Sequence, residues 1–262
     1  MNILITGARS GIAYQVGMML AKRGHHVYLT THTNQEAIAL HNKVKELPYH
    51  IVCFKLDITL DQDRHLIDAL DLDVLINHAG IGIGGSIVEM NLDGVRENFE
   101  VNVFSSFALL QLAYQNMRKK KKRGKILVMS SLASMLPMPF LGSYCASKAA
   151  ISTIVFALKQ ELKMIDSKIQ ISLIEPGAYR TGFNQVMIQN KEVYLFKDSS
   201  FYHKRKEINA WQEKVFSYVE KKNLDSIVRR IVKEVEKPKS KFKIRAPFWQ
   251  RVGVKLYLLF FR

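Results

Sequence analysis

Tyr144 and Lys148 stand four residues apart in Tyr144-Cys145-Ala146-Ser147-Lys148. On a helix that spacing puts both side chains on one face. A phenol titrates near ~10, so a tyrosine is a poor base at neutral pH. A neighbouring ammonium favours the phenolate and lowers that value. Bringing it close to 7 takes about 3 pKa units, or ~4 kcal/mol of differential stabilisation. One close cation in a partly desolvated site is of that size. By themselves the two residues could equally be a surface pair. Ser131, however, follows the apolar run Ile126–Met129 and precedes Tyr144 by thirteen residues. A hydroxyl at the end of a strand can hold a carbonyl or alkoxide oxygen while a tyrosine moves the proton.

A second constellation suits a phosphate. The run Ile3–Thr6 leads into Gly7-Ala8-Arg9-Ser10-Gly11-Ile12-Ala13, and a helical pattern follows. Glycines there permit a tight turn and a close backbone approach, and the helix N-terminus adds partial positive charge. A plain strand-to-helix turn is the alternative. Ala13 stands where a third glycine is common, a position that serves helix–strand packing and tolerates alanine. The second apolar run ends in Thr30-Thr31-His32-Thr33, with no carboxylate to accept a ribose 2′-hydroxyl or repel a 2′-phosphate. Arg9 in the loop and His32 near the ribose can both serve a 2′-phosphate, so NADP(H) is favoured over NAD(H). The alternative is that Arg9 faces solvent.

These residues need a scaffold. The chain has 262 residues, 48% of them hydrophobic and 24% charged, an ordinary globular balance that excludes a wholly disordered or fibrous chain. Compact runs at Ile3–Thr6, Val27–Thr30, Ile51–Leu56, Val74–Ile76, Ile126–Met129 and Ile171–Ile174 read as strands. Between most of them apolar residues recur at helical spacing, as at Val95, Phe99, Val103 and Phe107. The alternation predicts an α/β fold with a parallel sheet covered on both faces. In such a sheet ligands sit at the carboxyl ends of the strands. Ser131, Asn77-His78-Ala79-Gly80 and Pro176-Gly177 all follow strands on that rim.

Two cysteines, Cys53 and Cys145, cannot make a disulfide framework or a zinc site, and the eight histidines show no metal-like pairing. The net charge of +16 points to anionic partners: nucleotides, nucleic acid or acidic headgroups. Nucleic acid is set aside because no recognition motif accompanies the basic run Arg118–Arg123, which reads as a solvated loop. No targeting peptide is visible, and the uncharged stretch from Ile126 to Ser147 is interrupted by serines, Pro137, Pro139 and Gly142. A cytoplasmic protein is expected.

The joint pattern resembles the short-chain dehydrogenase/reductase family. The matching pieces are Thr6-Gly7-x-x-x-Gly11-x-Ala13, Asp57, Asn77-x-Ala79-Gly80, Asn102, Ser131, Tyr144-x-x-x-Lys148 and Pro176-Gly177 followed by Thr181, in family order over residues 1–182. The resemblance implies a single doubly wound Rossmann-type domain with a parallel sheet of about seven strands. It implies hydride transfer between a nicotinamide and a secondary alcohol or carbonyl compound. Tyr144 would be the general acid/base, Ser131 would hold the reacting oxygen, and Lys148 would bind the nicotinamide ribose and lower the tyrosine pKa. Asn102 would hold a water in the proton relay. Gly7, Arg9, Ser10, Gly11 and Ile12 would cradle the phosphates, with Asp57 and Ile58 at the adenine. Asn77, Ala79 and Gly80 would line the groove, and Pro176, Gly177 and Thr181 would flank the nicotinamide. His78 departs from the commoner second asparagine. A non-catalytic NADP-binding regulator on the same fold is the rival reading, and the intact Asn102, Ser131, Tyr144 and Lys148 set argues against it.

Residues 183–240 fall where this family keeps its substrate-binding segment. Phe183, Val186, Met187, Val193, Leu195 and Phe196 suit a lipophilic substrate, and Met135, Leu136, Met138 and Phe140 are further candidates for an apolar wall. The Tyr-Cys-Ala-Ser-Lys stretch resembles the steroid- and retinol-type branch. Residues 241–262 would form a last strand and a basic amphipathic tail carrying Trp249, Leu256, Tyr257, Leu258, Leu259, Phe260 and Phe261 with Arg251, Lys255 and Arg262. Such a tail can lie peripherally on an anionic membrane, or pack over the pocket of its own chain or a partner's. By analogy with the family, residues 95–117 and 144–163 would pair chains into a homodimer or homotetramer.

Overall fold

In the computed structural model of the protein, residues 1–192, 199–245 and 247–260 are described. Seven strands make one parallel sheet: β1 (Asn2–Ile5), β2 (His26–Thr31), β3 (Ile51–Lys55), β4 (Val74–Asn77), β5 (Lys125–Met129), β6 (Gln170–Glu175) and β7 (Lys243–Arg245). Their order is β3-β2-β1-β4-β5-β6-β7, so the winding direction reverses between β1 and β4. A cleft opens at such a reversal, outside the carboxyl ends of the strands. The doubly wound expectation holds, with strand ends shifted by a residue or two.

The helices are α1 (Gly11–Lys22), α2 (Asn34–Val44), α3 (Asp61–Arg64), α4 (Leu92–Phe99), α5 (Ser106–Lys119), α6 (Gly142–Met164), α7 (Phe183–Glu192), α8 (Arg205–Val219), α9 (Asp225–Glu236) and α10 (Phe248–Phe260). One core layer packs α1, α2 and α9 against the sheet through residues such as Val16, Leu20, Leu40 and Ile231. The other packs α5 and α6 through Leu109, Met117, Ile151 and Val155. The central strands are apolar on both sides because both faces are covered: Ile3, Leu4, Ile5, Leu75 and Leu127 are fully buried. None of the helices in the described residues is long and apolar enough to cross a membrane.

Between α4 and α5 the helix widens into a π-turn, Glu100–Ser105. There and just before it, two asparagines clamp the extended segment that follows β4. The Asn98 carboxamide accepts from the Ile83 N–H (3.0 Å), donates to the Ile83 carbonyl (2.8 Å) and donates to Ser143 Oγ (3.0 Å). Asn102 repeats the pattern, accepting from the Ile81 N–H (2.9 Å) and donating to the Ile81 carbonyl (2.9 Å) and Ser147 Oγ (3.0 Å). Ser143 and Ser147 lie one turn apart on α6, either side of Tyr144. This two-rung ladder therefore fixes the α6 tyrosine against the loop after β4. All four side chains are buried, where unmatched polar groups are costly.

The run Arg118–Arg123 is not simply solvated. Lys122 Nζ pairs with Asp71 (2.8 Å) and Asp73 (3.0 Å), and Lys120 donates to the Leu70 carbonyl. Like charges crowd in the sequence, but the turn before β4 supplies carboxylates and a carbonyl to receive them.

Replacing Asn98 by Ala strands the Ile83 backbone groups and the Ser143 hydroxyl. Each orphaned group costs about 1–3 kcal/mol. Chemical denaturation should show a loss on the order of 3 kcal/mol, and a shift within error would mean that the ladder is not structural.

Candidate active site

A cavity of about 1200 Å³ runs along the carboxyl ends of the strands. Gly7, Arg9, Ser10, Gly11, Ile12, His32, Asp57, Ile58, Ala79, Gly80, Ser131, Tyr144, Pro176, Gly177 and Thr181 all line it. Fifteen of the residues singled out in the sequence thus stand on its wall.

One end of the cavity, the end where the sequence suggests a phosphate, is built by the β1–α1 turn. Gly7 and Gly11 both hold φ +65°, a conformation that costs other residues strain. A Cβ at Gly7 would also come within 2.9 Å of the Ala79 backbone, so β1 and the loop after β4 can meet only at a glycine. Thr6 Oγ1 binds the two loops together by accepting the N–H groups of His78 and Ala79, each at 3.0 Å. Ser10 starts α1 without a side-chain cap, and the first turn carries no acidic residue. The N–H groups of that turn are thus uncompensated by the protein's own side chains, which fits a dinucleotide diphosphate.

The ribose end carries both signs of charge. Arg9 pairs with Glu36 Oε1 at 2.8 Å and is 66% exposed. His32 Nε2 lies 3.0 Å from Asp57 Oδ2. Burial pulls the Asp57 carboxyl up, but the Thr59 hydroxyl and N–H, together with His32, outweigh it and hold the group below its ordinary value. Glu36 is a wall residue that reading the end of β2 missed. Its signal was present as a capping box, with Thr33 and Glu36 exchanging side-chain and backbone bonds at the start of α2. Only the fold puts that box over Arg9.

At the other end, the Ser131 hydroxyl lies close enough to the Tyr144 phenol to lower its pKa. Ser131 also caps the short turn Leu132–Ser134, its Oγ accepting the Ala133 N–H at 3.1 Å. The Phe183 ring of α7 stands 5.7 Å from the Tyr144 ring, and Met187 packs directly over Gly82. Phe183, Asn184, Val186 and Asn190 extend the cavity wall, whereas Val193, Leu195 and Phe196 lie outside the described residues.

Lys148 shares a face of α6 with Tyr144, as the spacing predicts, but its amine is directed to β5. Its Nζ stands 6.0 Å from the Tyr144 ring centroid and donates to the Met129 carbonyl at 3.3 Å. Burial pushes Tyr144 up, above the usual phenol value, and the Ser131 hydroxyl is the group that works against it. Burial pushes Lys148 down to about 8, which leaves it mostly charged at neutral pH. The amine lies just under Gly80, where a Cβ would come within 3.1 Å of Nζ.

Three expected site residues sit behind the wall. Asn77 is buried and donates to the Ser106 carbonyl (2.8 Å) and Oγ (3.0 Å), fastening β4 to α5 instead of lining the groove. The Asn102 side chain is spent on Ile81 and Ser147, and Lys148 lies below Gly80. Met135, Leu136, Met138 and Phe140 do not line the cavity either. Met138 packs into the apolar cluster around Tyr144, Leu136 packs on Leu132 and Val254, and Phe140 meets Phe201 edge to face. His78, the departure from the family pattern, does line it. Burial and the Lys148 charge push its imidazole down to about 4, and its Nδ1 is buried with no protein partner.

A doubly wound sheet with a glycine turn, a Ser–Tyr pair and a buried lysine at its switch point defines a dinucleotide-binding fold. The family described as short chain dehydrogenase matches residues 1–192. Over 98% of this chain and 89% of the relative, 31% of residues are identical to a protein of Helicobacter pylori described as a probable short-chain type dehydrogenase/reductase VdlC. A 3-ketodihydrosphingosine reductase of Bacteroides thetaiotaomicron is 33% identical over 69% of this chain and 65% of its own length. A short-chain dehydrogenase/reductase of Burkholderia phymatum, solved with NAD, superposes with a TM-score of 0.81 over 97% of this chain and 92% of its own at 18% identity, a likeness of fold. The chain belongs to the short-chain dehydrogenase family, whose members are oxidoreductases that use nicotinamide dinucleotides.

The depressed Lys148 value is a statement about stability. The folded protein releases this proton near 8 while the unfolded chain keeps it to about 10.5, so stability from this group rises with pH across that window. Comparing wild type with Lys148→Met should reveal a penalty in wild type that is complete below pH 8 and fades towards 10.5. At 1.36 kcal/mol per unit it is on the order of 3 kcal/mol. A pH-independent difference would contradict the burial argument.

Proposed function

We propose that the protein reversibly reduces a lipophilic ketone to a secondary alcohol with NADPH, and that Tyr144 is its general acid/base. The Ser131 and Tyr144 hydroxyl groups, which line one wall of the cavity close enough for Ser131 to lower the phenol's pKa, carry this reading. When bound, the nicotinamide supplies or accepts the hydride. Ser131 donates to the substrate oxygen and orients it. Tyr144, held protonated by burial, gives its proton to that oxygen as the alkoxide forms, and takes one back in the oxidative direction. Lys148 holds the nicotinamide ribose from beneath Gly80, and its charge stabilises the phenolate left behind. Residues 1–182 serve as the cofactor and reaction core, and residues 183–240 as the substrate segment.

Phe183 and Val186 on the wall, with Met187 over Gly82, support an apolar substrate, as does the likeness to a 3-ketodihydrosphingosine reductase. Phe104 and Phe156 expose apolar rings on the central helices, which supports pairing of two chains there. NADP(H) preference rests on Arg9, whose fork reaches a 2′-phosphate when it turns from Glu36, with His32 beside it.

Tyr144→Phe should bind cofactor as wild type does, by nicotinamide fluorescence, while turnover of a ketone panel falls about 10²–10⁴-fold. Unchanged turnover would refute the acid/base role. Arg9→Ala should lower the NADPH over NADH ratio of kcat/KM roughly 10–100-fold, the worth of a charge-assisted bond, and Glu36→Gln should raise it. An unmoved ratio in both variants would overturn the preference.

A further inference from the structure

Helix α10 presents an apolar face to the outside. At 100° per residue, Phe248, Trp249, Val252, Leu256 and Leu259 fall within an arc of about 100°. Phe248 is 72% and Leu259 77% exposed, while Leu256 and Trp249 are about half exposed. The opposite side is the one that packs. Gln250 is buried and donates to the carbonyls of Ala178 (3.2 Å) and Val219 (2.8 Å). Val254 packs on Leu132, next to Ser131. The helix presses so closely on the loop after β6 that a Cβ at Gly177 would fall 1.5 Å from Gln250 Oε1. One face is thus anchored beside the cavity, and the helix is inverted relative to an ordinary surface helix, whose outer face is polar.

Charge says what covers that face. Residues 221–262 hold thirteen Lys and Arg against three Asp and Glu, so ten of the sixteen excess positive charges of the protein lie in the C-terminal segment that carries α10. Lys221 donates its N–H to the same Ala178 carbonyl that Gln250 reaches, which brings Lys221 and Lys222 beside the helix. Arg245 ends the neighbouring edge strand β7, and the Arg251 guanidinium lies 5.7 Å from the Phe248 ring. A second copy would set this positive charge against its own like. An anionic bilayer matches both features, taking the apolar face at the acyl boundary and the cations at the headgroups.

We propose that α10 docks the protein in the plane of an anionic membrane surface, with Trp249, Leu256 and Leu259 inserted and the cavity mouth beside Gly177 held close to the lipid. This inference is independent of the redox assignment, because it is read from binding and not from turnover.

The test uses the full chain carrying Trp211→Phe, so that Trp249 is the one tryptophan left of two. Sedimentation is measured with phosphatidylcholine vesicles, with and without about a quarter phosphatidylglycerol, at about 0.05 M and about 0.5 M salt. Expected are co-sedimentation with the anionic vesicles alone, a loss of about tenfold at the higher salt, a blue shift of Trp249 emission, and quenching by brominated lipid. Leu256→Glu with Leu259→Glu should lose the binding at least tenfold (roughly 1.4 kcal/mol). Equal binding by that variant, equal binding to neutral vesicles, or no quenching in the unaltered helix would overturn the proposal. A Trp249 shift that needs no vesicles and follows a doubling of mass would assign the face to a second copy, and one that needs an acidic protein would assign it to that partner.

Discussion

The two-rung ladder of Asn98 and Asn102 is the constraint on which the site rests. The segment after β4 has no strand beside it, so its backbone groups at Ile81 and Ile83 need partners from elsewhere. Two carboxamides supply them, and the same carboxamides reach Ser143 and Ser147 on α6. Because buried polar groups are expensive when unmatched, the loop and α6 can meet in one register. That register sets Tyr144 in the groove and Lys148 under Gly80. The π-turn is where the helix widens to bring Asn102 into line, in keeping with the tendency of such turns to occur at functional positions.

Burial then decides the electrostatics. A phenol and an amine one helical turn apart suggest mutual activation, yet both are taken out of water and each is pushed towards its neutral form. Tyr144 keeps its proton, and Lys148 gives up its own more readily than an exposed lysine would. A protonated phenol is the form a carbonyl reduction needs, since the proton must be given, not taken. The nearby Ser131 hydroxyl, and not the lysine, is the group that lowers the phenol's pKa in this arrangement.

At the ribose end the outcome is a balance of paired charges. Arg9 answers Glu36 and His32 answers Asp57, so neither nitrogen side chain is idle and neither carboxylate is free. Such a rim can be tilted by one substitution, because an exposed pair is worth little and its members can turn to a ligand. The C-terminal helix shows the same economy of position. Its polar Gln250 is turned inward to satisfy loop carbonyls, which leaves its apolar side chains facing out.

Local chemistry fixed much of this in advance. Alternating strand and helix periodicity gave the doubly wound sheet, and the Gly7–Gly11 turn gave the phosphate end, since both depend on near neighbours in the chain. Ser131, Tyr144 and the Pro176-Gly177 turn were legible because they follow strand ends, where a parallel sheet puts its cleft. Tertiary structure alone decided the rest. Whether Asn77 meets cofactor or Ser106, whether Glu36 stands over Arg9, and whether Lys148 reaches the phenol or the Met129 carbonyl are contacts between residues that are distant in sequence or governed by the exact rotation of a helix. Spacing along a chain says which side chains share a face; desolvation and the partners waiting there, which only the folded chain assembles, determine what that face can do.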